Sequence, residues 1–213
     1  MKKVYFISGL GADKRVFSFL DLSFCKPIFI DWIQPEINEP LESYANRLKE
    51  CITEPSPVIV GISFGGMLAT EIAKANPQSK VIIISSNKVA AELPLYFKMG
   101  KYLSVYRWIP ARFAKSLMLR STWILGGKNA EQKEILHNII RDSETRFVKW
   151  AISAILNWKN KEIPANLTHI HGTADKLLPY KYIKADFAVD GGTHVMTLDN
   201  PKEVSVLLKK LLQ

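Results

Sequence analysis

Runs of apolar, largely β-branched residues recur along the chain at intervals that leave room for a helix between them. Val4–Ile7 ends on Ser8-Gly9, Pro27–Ile30 on Asp31, Val58–Val60 on Gly61, and Val81–Ile84 on Ser85-Ser86-Asn87. Two more come late: Leu167–Ile170, ending on His171-Gly172, and Phe187–Val189, ending on Asp190-Gly191-Gly192. Several lack polar alternation, which predicts strands covered on both faces. Leu41–Cys51 and Phe64–Ala75 show helical spacing, and Pro201–Leu212 closes the chain as a helix. Alternating β and α elements predict an α/β fold: about six mostly parallel strands flanked by helices.

The alternation breaks between residues 88 and 162. No strand run interrupts that stretch, which reads as several helices, among them Ala130–Ile140 and Glu144–Trp158. It holds four of the five tryptophans, Trp108, Trp123, Trp150 and Trp158, expected mostly as the core of a small helical subdomain. Near its start, Tyr96, Met99, Leu103 and Tyr106 share one stripe at i, i+3, i+4 spacing, with Lys98, Lys101 and Arg107 off it. That pattern predicts an amphipathic helix with its apolar face toward a pocket and its cations at the rim.

Composition narrows the class. With 213 residues, 47% of them hydrophobic, the chain fits one globular domain with room for an insertion. No apolar run is long enough to span a bilayer. The apolar start, Val4–Ile7, breaks at once on Gly9, Gly11 and Asp13, which is too short for a signal peptide. Cys25 and Cys51 suit reduced thiols in a cytoplasm better than a disulfide framework. The net charge of +9 is uneven: residues 88–162 carry +8 of it, and residues 88–128 hold eight cations against the single acid Glu92. A solvated face, an anionic substrate and a membrane surface all suit this charge. Nucleic acid suits it poorly, because no binding motif accompanies it.

The strongest chemical signal is Gly61-Ile62-Ser63-Phe64-Gly65, a G-x-S-x-G between a strand run and a helical run. A sharp strand-to-helix turn lifts a serine hydroxyl above a sheet, and small residues on either side let strand and helix pass closely. The turn also sets the Phe64 N–H at a helix N-terminus, suited to a developing oxyanion. A plain Gly-rich turn with a capping serine is the bland alternative.

Three further segments share the resemblance this motif opens. Ser8-Gly9-Leu10-Gly11 follows the first strand run, His171-Gly172-Thr173-Ala174-Asp175 the fifth, and Gly191-Gly192-Thr193-His194 the last. Over nearly its whole length the chain resembles the α/β-hydrolase superfamily, in its branch of small cap-bearing serine esterases. The resemblance implies Ser63 as nucleophile, His194 as base and Asp175 as the acid that orients it, in the chain order Ser, Asp, His. It implies backbone N–H groups of Leu10 and Phe64 as the oxyanion hole. Ser8 stands where the family commonly has histidine. The place after the fourth strand run, where some members carry the acid, has no carboxylate. The resemblance further implies an α/β-hydrolase core over 1–87 and 163–213, a helical cap over 88–162 above Ser63, and no metal or organic cofactor.

The expected activity is hydrolysis of a carboxylic ester or related acyl bond on a small-molecule substrate. A lyase or C–C bond hydrolase using the same triad, and a non-catalytic receptor on this scaffold, are alternatives. Other motifs are weaker. His169 and His171 share a strand face but lack further ligands for a metal. His171 is expected beneath the acid loop and His137 exposed. Gly126-Gly127-Lys128 lacks the rest of a phosphate-binding loop, and Gly9-x-Gly11 lacks the third glycine of a dinucleotide fingerprint.

Overall fold

A computed structural model describes residues 1–97, 99 and 111–212. Six strands form one sheet in the order β2-β1-β3-β4-β5-β6: β1 Lys3–Ile7, β2 Lys26–Ile30, β3 Val58–Ile62, β4 Lys80–Ile84, β5 Leu167–Gly172 and β6 Phe187–Val189. Every pairing is parallel.

The side-chain period of two splits the sheet residues between two cores. Tyr5, Ile7, Ile59, Val81 and Ile83 face helices α1 (Leu41–Leu48) and α2 (Phe64–Ala75). Val4, Phe6, Val60, Ile82 and Ile84 face Val16, Phe17 and the closing helix Pro201–Leu212. All five residues of β3 are buried, so a parallel central strand covered on both faces explains its unbroken apolar run. The helical run predicted over Leu41–Cys51 ends as an α-helix at Leu48 and finishes in one 3-10 turn.

Four described helices lie between β4 and β5: α3 Ala111–Arg120, α4 Thr122–Leu125, α5 Ala130–Asp142 and α6 Thr145–Asn157. After β6 come α7, Met196–Asp199, and α8, Pro201–Leu212. Helix α5 starts on a capping box, in which the Asn129 side chain accepts from the Gln132 N–H and Gln132 reaches back to the Asn129 backbone. Helix α6 packs on the α1–α2 side, where Phe147, Ala151 and Trp158 join the core.

Of the stripe read near the start of this insertion, Leu103 and Tyr106 lie outside the described residues, as do Trp108 and the flanking cations Lys98, Lys101 and Arg107. Tyr96 and Met99 are exposed rather than turned inward. Phe97, next to Tyr96, lines the cavity in their place. Trp158 is core as expected, but Trp123 is 66% exposed.

Candidate active site

Ser63 sits between β3 and α2 with φ 53° and ψ −120°, in the positive-φ region that side chains avoid. The surroundings hold it there. Its N–H donates to the Ile84 carbonyl at 2.9 Å, and its carbonyl accepts from the Ser86 hydroxyl at 2.7 Å and from the Gly66 and Met67 N–H groups. Two glycines make the turn sterically possible. A Cβ on Gly61 would strike the Gly65 backbone, and one on Gly65 would strike the Ser8 and Ile7 carbonyls.

His194 and Asp175 meet this serine from the other half of the sheet. His194 Nε2 lies 2.9 Å from Ser63 Oγ, and its Nδ1 lies 2.8 Å from Asp175 Oδ2. Asp175 follows β5 and is buried, and its other oxygen accepts from the Leu177 and Leu178 N–H groups at 2.9 and 2.8 Å. Burial pushes the Asp175 carboxyl up, but the neighbouring His194, its hydrogen bond and the Leu178 N–H outweigh this. The net result is a carboxyl held below its ordinary value, an anion ready to stabilise an imidazolium.

The loop after β1 packs directly against the serine: a Cβ on Gly9 would stand 3.4 Å from the Ser63 Cβ. The Leu10 and Phe64 N–H groups belong to residues that line the same cavity as Ser63. Neither is taken up by a hydrogen bond among the described residues. Ser8 is buried, and its hydroxyl donates to the Ala12 carbonyl at 2.8 Å, closing the loop on itself. Trp32 Nε1 donates to that carbonyl as well, at 2.7 Å.

His171 does lie beneath the acid loop. Its Nε2 stands 2.8 Å from the Leu178 carbonyl, so that nitrogen carries the proton, and 3.4 Å from Asp175 Oδ2. Its Nδ1 then faces His169 Nε2 at 3.1 Å as an acceptor. Burial lowers the affinity of both rings for a second proton. No cluster with the composition of a metal site occurs among the described residues. His137 is exposed.

Sequence reasoning missed the role of Asp199. Its buried carboxylate accepts from the Gly127 N–H at 3.1 Å, the Lys128 N–H at 3.3 Å and the Thr193 hydroxyl at 2.5 Å. It thereby ties the Gly126-Gly127-Lys128 turn to the loop that carries His194. The glycine turn that resembles half of a phosphate loop is thus occupied by a carboxylate of the same chain. No local pattern announces this, because the partners are 72 residues apart.

Above Ser63 and His194 lies a cavity of about 270 Å³. Its wall is almost wholly apolar, with Met67, Leu93, Ile124, Ile139 and Ile152 among the lining residues, and no Lys or Arg among the described residues lines it. Among the described residues, no helix is long and apolar enough to cross a membrane.

Comparison with known proteins agrees with this architecture. A thermophilic esterase from Thermogutta terrifontis superposes with a TM-score of 0.70 at 15% identity, covering 100% of this chain and 89% of that one. An epoxide hydrolase of Bacillus megaterium gives 0.73 at 12% identity, covering 100% and 93%. An esterase from Exiguobacterium antarcticum gives 0.70 at 13%, covering 100% and 92%. At these identities the likeness speaks to the fold. No curated protein matches in sequence. The sequence profile of the Alpha/beta hydrolase family matches residues 4–206. With that match over nearly its full length, the chain belongs to the Alpha/beta hydrolase family and is a hydrolase.

Proposed function

We propose that the protein is a serine hydrolase that cleaves a carboxylic ester or related acyl bond of a small, largely apolar substrate. The observation that carries this reading is the continuous hydrogen-bonded path from Ser63 Oγ through His194 to Asp175, with contacts of 2.9 and 2.8 Å, opening on an apolar cavity. His194 Nε2 takes the Ser63 proton as Oγ attacks the acyl carbon. Asp175, anionic and fixed by two backbone N–H groups, holds the imidazole in the tautomer that leaves Nε2 free to accept. The N–H groups of Leu10 and Phe64 receive the oxyanion. His194 then returns the proton to the departing oxygen, leaving an acyl-Ser63 ester. Water, deprotonated by His194, releases the acid and restores the serine. No step requires a metal or organic cofactor.

In this reading residues 1–87 and 163–213 are the catalytic core and residues 88–162 a helical cap. Met118, Ile124, Leu136, Ile139 and Ile152 of that insertion line the cavity together with Ser63 and His194, which supports the assignment. The two free thiols, buried Cys25 and exposed Cys51, support a reducing, cytoplasmic setting.

The test is labelling by a fluorophosphonate probe together with turnover of p-nitrophenyl esters of graded acyl length. Wild-type protein is expected to label and to turn over medium-chain esters. Ser63→Ala is expected to lose labelling and to lower kcat by roughly 10⁴-fold or more. Equal labelling of folded wild type and Ser63→Ala removes Ser63 from the nucleophile's role. Including thioesters and cyanohydrins in the panel separates ester hydrolysis from lyase chemistry.

A further inference from the structure

The outer wall of the cavity has an alternating construction. Four separate segments each send one residue into the cavity and turn its chain neighbour out to solvent. Phe97 lines it while Tyr96 is exposed; Met118 lines it while Leu117 is 55% exposed; Ile124 lines it while Trp123 is exposed; Leu177 lines it while Lys176 is exposed. These segments also meet one another. The Tyr96 hydroxyl donates to the Leu177 carbonyl, and Lys176 Nζ lies 5.4 Å over the Trp123 ring. Phe113, one turn before Leu117 on α3, is 60% exposed too. The loop from Lys176 onward adds exposed Tyr180, Lys181, Tyr182 and Lys184. Six of the twelve large apolar side chains exposed on the described surface fall between Leu95 and Trp123. A patch of this density around a cavity marks a docking face rather than scattered exposure.

The charge identifies the occupant. Residues 111–128 contain Arg112, Lys115, Arg120 and Lys128 and no acid, and residues 176–184 contain three lysines and no acid. Among the described side chains none of these cations lines the cavity, so their charge does not serve an anionic group held inside it. Lys115 turns in to donate to the Ser143 carbonyl at 2.7 Å, but Arg120, Lys128, Lys176, Lys181 and Lys184 are exposed, on the same segments as exposed tryptophan and tyrosine. Those rings settle at the headgroup level of a bilayer, an apolar body below and a polar edge above, and lysines beside them attract anionic lipid. Exposed apolar anchors combined with clustered cations supply the two signals that stable peripheral binding needs. From these observations we propose that the rim formed by residues 95–97, 111–123 and 176–184 docks on an anionic lipid surface, with the cavity mouth turned toward it. The docking itself does not rest on the ester reading; where that reading holds, it makes membrane-derived acyl compounds the substrate class.

Flotation of the intact protein with vesicles tests this, using pure phosphatidylcholine and phosphatidylcholine with about 30% phosphatidylglycerol. Wild-type protein is expected to float with the anionic vesicles, to stay behind with the neutral ones, and to be released at about 1 M salt, where the screening length shrinks to roughly 3 Å. Reversing Lys181→Glu together with Lys184→Glu is expected to weaken vesicle binding at least about tenfold. Phe113→Ser with Trp123→Ser is expected to weaken it to a similar degree. Thermal melts confirm folding of each variant, and turnover of soluble p-nitrophenyl butyrate is expected to stay within about twofold of wild type. Failure of wild type to float with anionic vesicles, or equal flotation of the variants, overturns the proposal. A concentration-dependent dimer that the Phe113/Trp123 variant dissolves also overturns it, because the face is then covered by a second copy. Loss of p-nitrophenyl turnover in Ser63→Ala speaks only to the chemistry, since that variant is expected to float like wild type.

Discussion

Ser8 stands where the family resemblance implies a histidine, and its surroundings show how the loop is seated with a serine there. Its hydroxyl donates to the Ala12 carbonyl at 2.8 Å, which the Trp32 indole also reaches at 2.7 Å, and the loop between Ser8 and Ala12 carries Leu10, the proposed oxyanion donor. Ser8→Ala leaves the Trp32 bond in place, so the expected loss of stability is about 1 kcal/mol. The loop carrying Leu10 is held at one point fewer, and kcat for an ester substrate is expected to fall up to about tenfold with KM nearly unchanged, as for a group acting only on the transition state. Urea denaturation and steady-state kinetics read the two effects separately; a stability loss with kcat intact limits Ser8 to a structural part. At this scale the sequence carries the residues whose chemistry fixes their type: Ser63, Asp175, His194 and the two glycines that flank the serine. It does not carry Trp32 or the inward–outward choice between Tyr96 and Phe97. Those depend on which neighbours the fold supplies, and a stripe at helical spacing does not say which side of it meets the cavity.

Elements were legible in proportion to how local their cause is. The six strand runs match the observed strands to within one or two residues at each end, because buried parallel strands need nothing beyond unbroken apolar β-formers. Helix α5 was legible from its periodicity, and its capping box sits in the sequence as Asn129 and Gln132. The short helix α7 was not legible, since its four residues are held by tertiary bonds: Gln132 Nε2 donates to the Leu198 carbonyl at 2.8 Å, and Asp199 clamps the turn before α5. This clamp joins the proposed cap to the histidine loop, and it yields a prediction about elements rather than single groups. Asp199→Ala leaves the Gly127 N–H and the Thr193 hydroxyl without their acceptor, while the Lys128 N–H keeps Gln132 Oε1 at 2.7 Å, at an expected cost of roughly 2–3 kcal/mol. Because Thr193 precedes His194, kcat is expected to drop about tenfold or more. Thr193→Val removes only the branch toward the histidine loop. It is expected to reproduce most of the kcat loss with less than about half of the stability loss. Equal stability losses in the two variants, measured by denaturation, mean that the turn before α5 does not depend on the clamp.

At the scale of the molecule, the sheet order β2-β1-β3-β4-β5-β6 brings the loops after β1, β3, β5 and β6 to one edge, where Leu10, Ser63, Asp175 and His194 converge. Strand β5 carries a second consequence of that convergence. His169 and His171 point to one side of it, both fully buried and in contact at 3.1 Å, with His171 joined to the acid loop and His169 Nδ1 without a partner. Burial is the largest influence on each ring and lowers both proton affinities, His169 well below the ordinary histidine value; the neighbouring ring and Lys88 push His169 the same way. For His171, Asp175 and the Leu178 carbonyl pull the other way without reversing the result. The sign of the linkage follows. The unfolded chain takes up protons on these histidines as pH falls below about 6.5, while the folded chain keeps them neutral. Their contribution to stability is therefore intact above about pH 6.5 and is lost progressively as pH falls from there toward the folded-state values. Denaturation midpoints measured between about pH 7.5 and pH 5 are expected to fall, with a slope of up to about 1.4 kcal/mol per pH unit from each histidine. His169→Leu fills the same buried space without a titrating group and is expected to flatten that slope, even where it lowers stability at neutral pH by stranding His171 Nδ1. An unchanged slope in His169→Leu shows that this ring takes up no proton on unfolding and shifts the acid sensitivity elsewhere. A flattened one ties the acid limit of the molecule to the strand that holds Asp175 in place beneath His194.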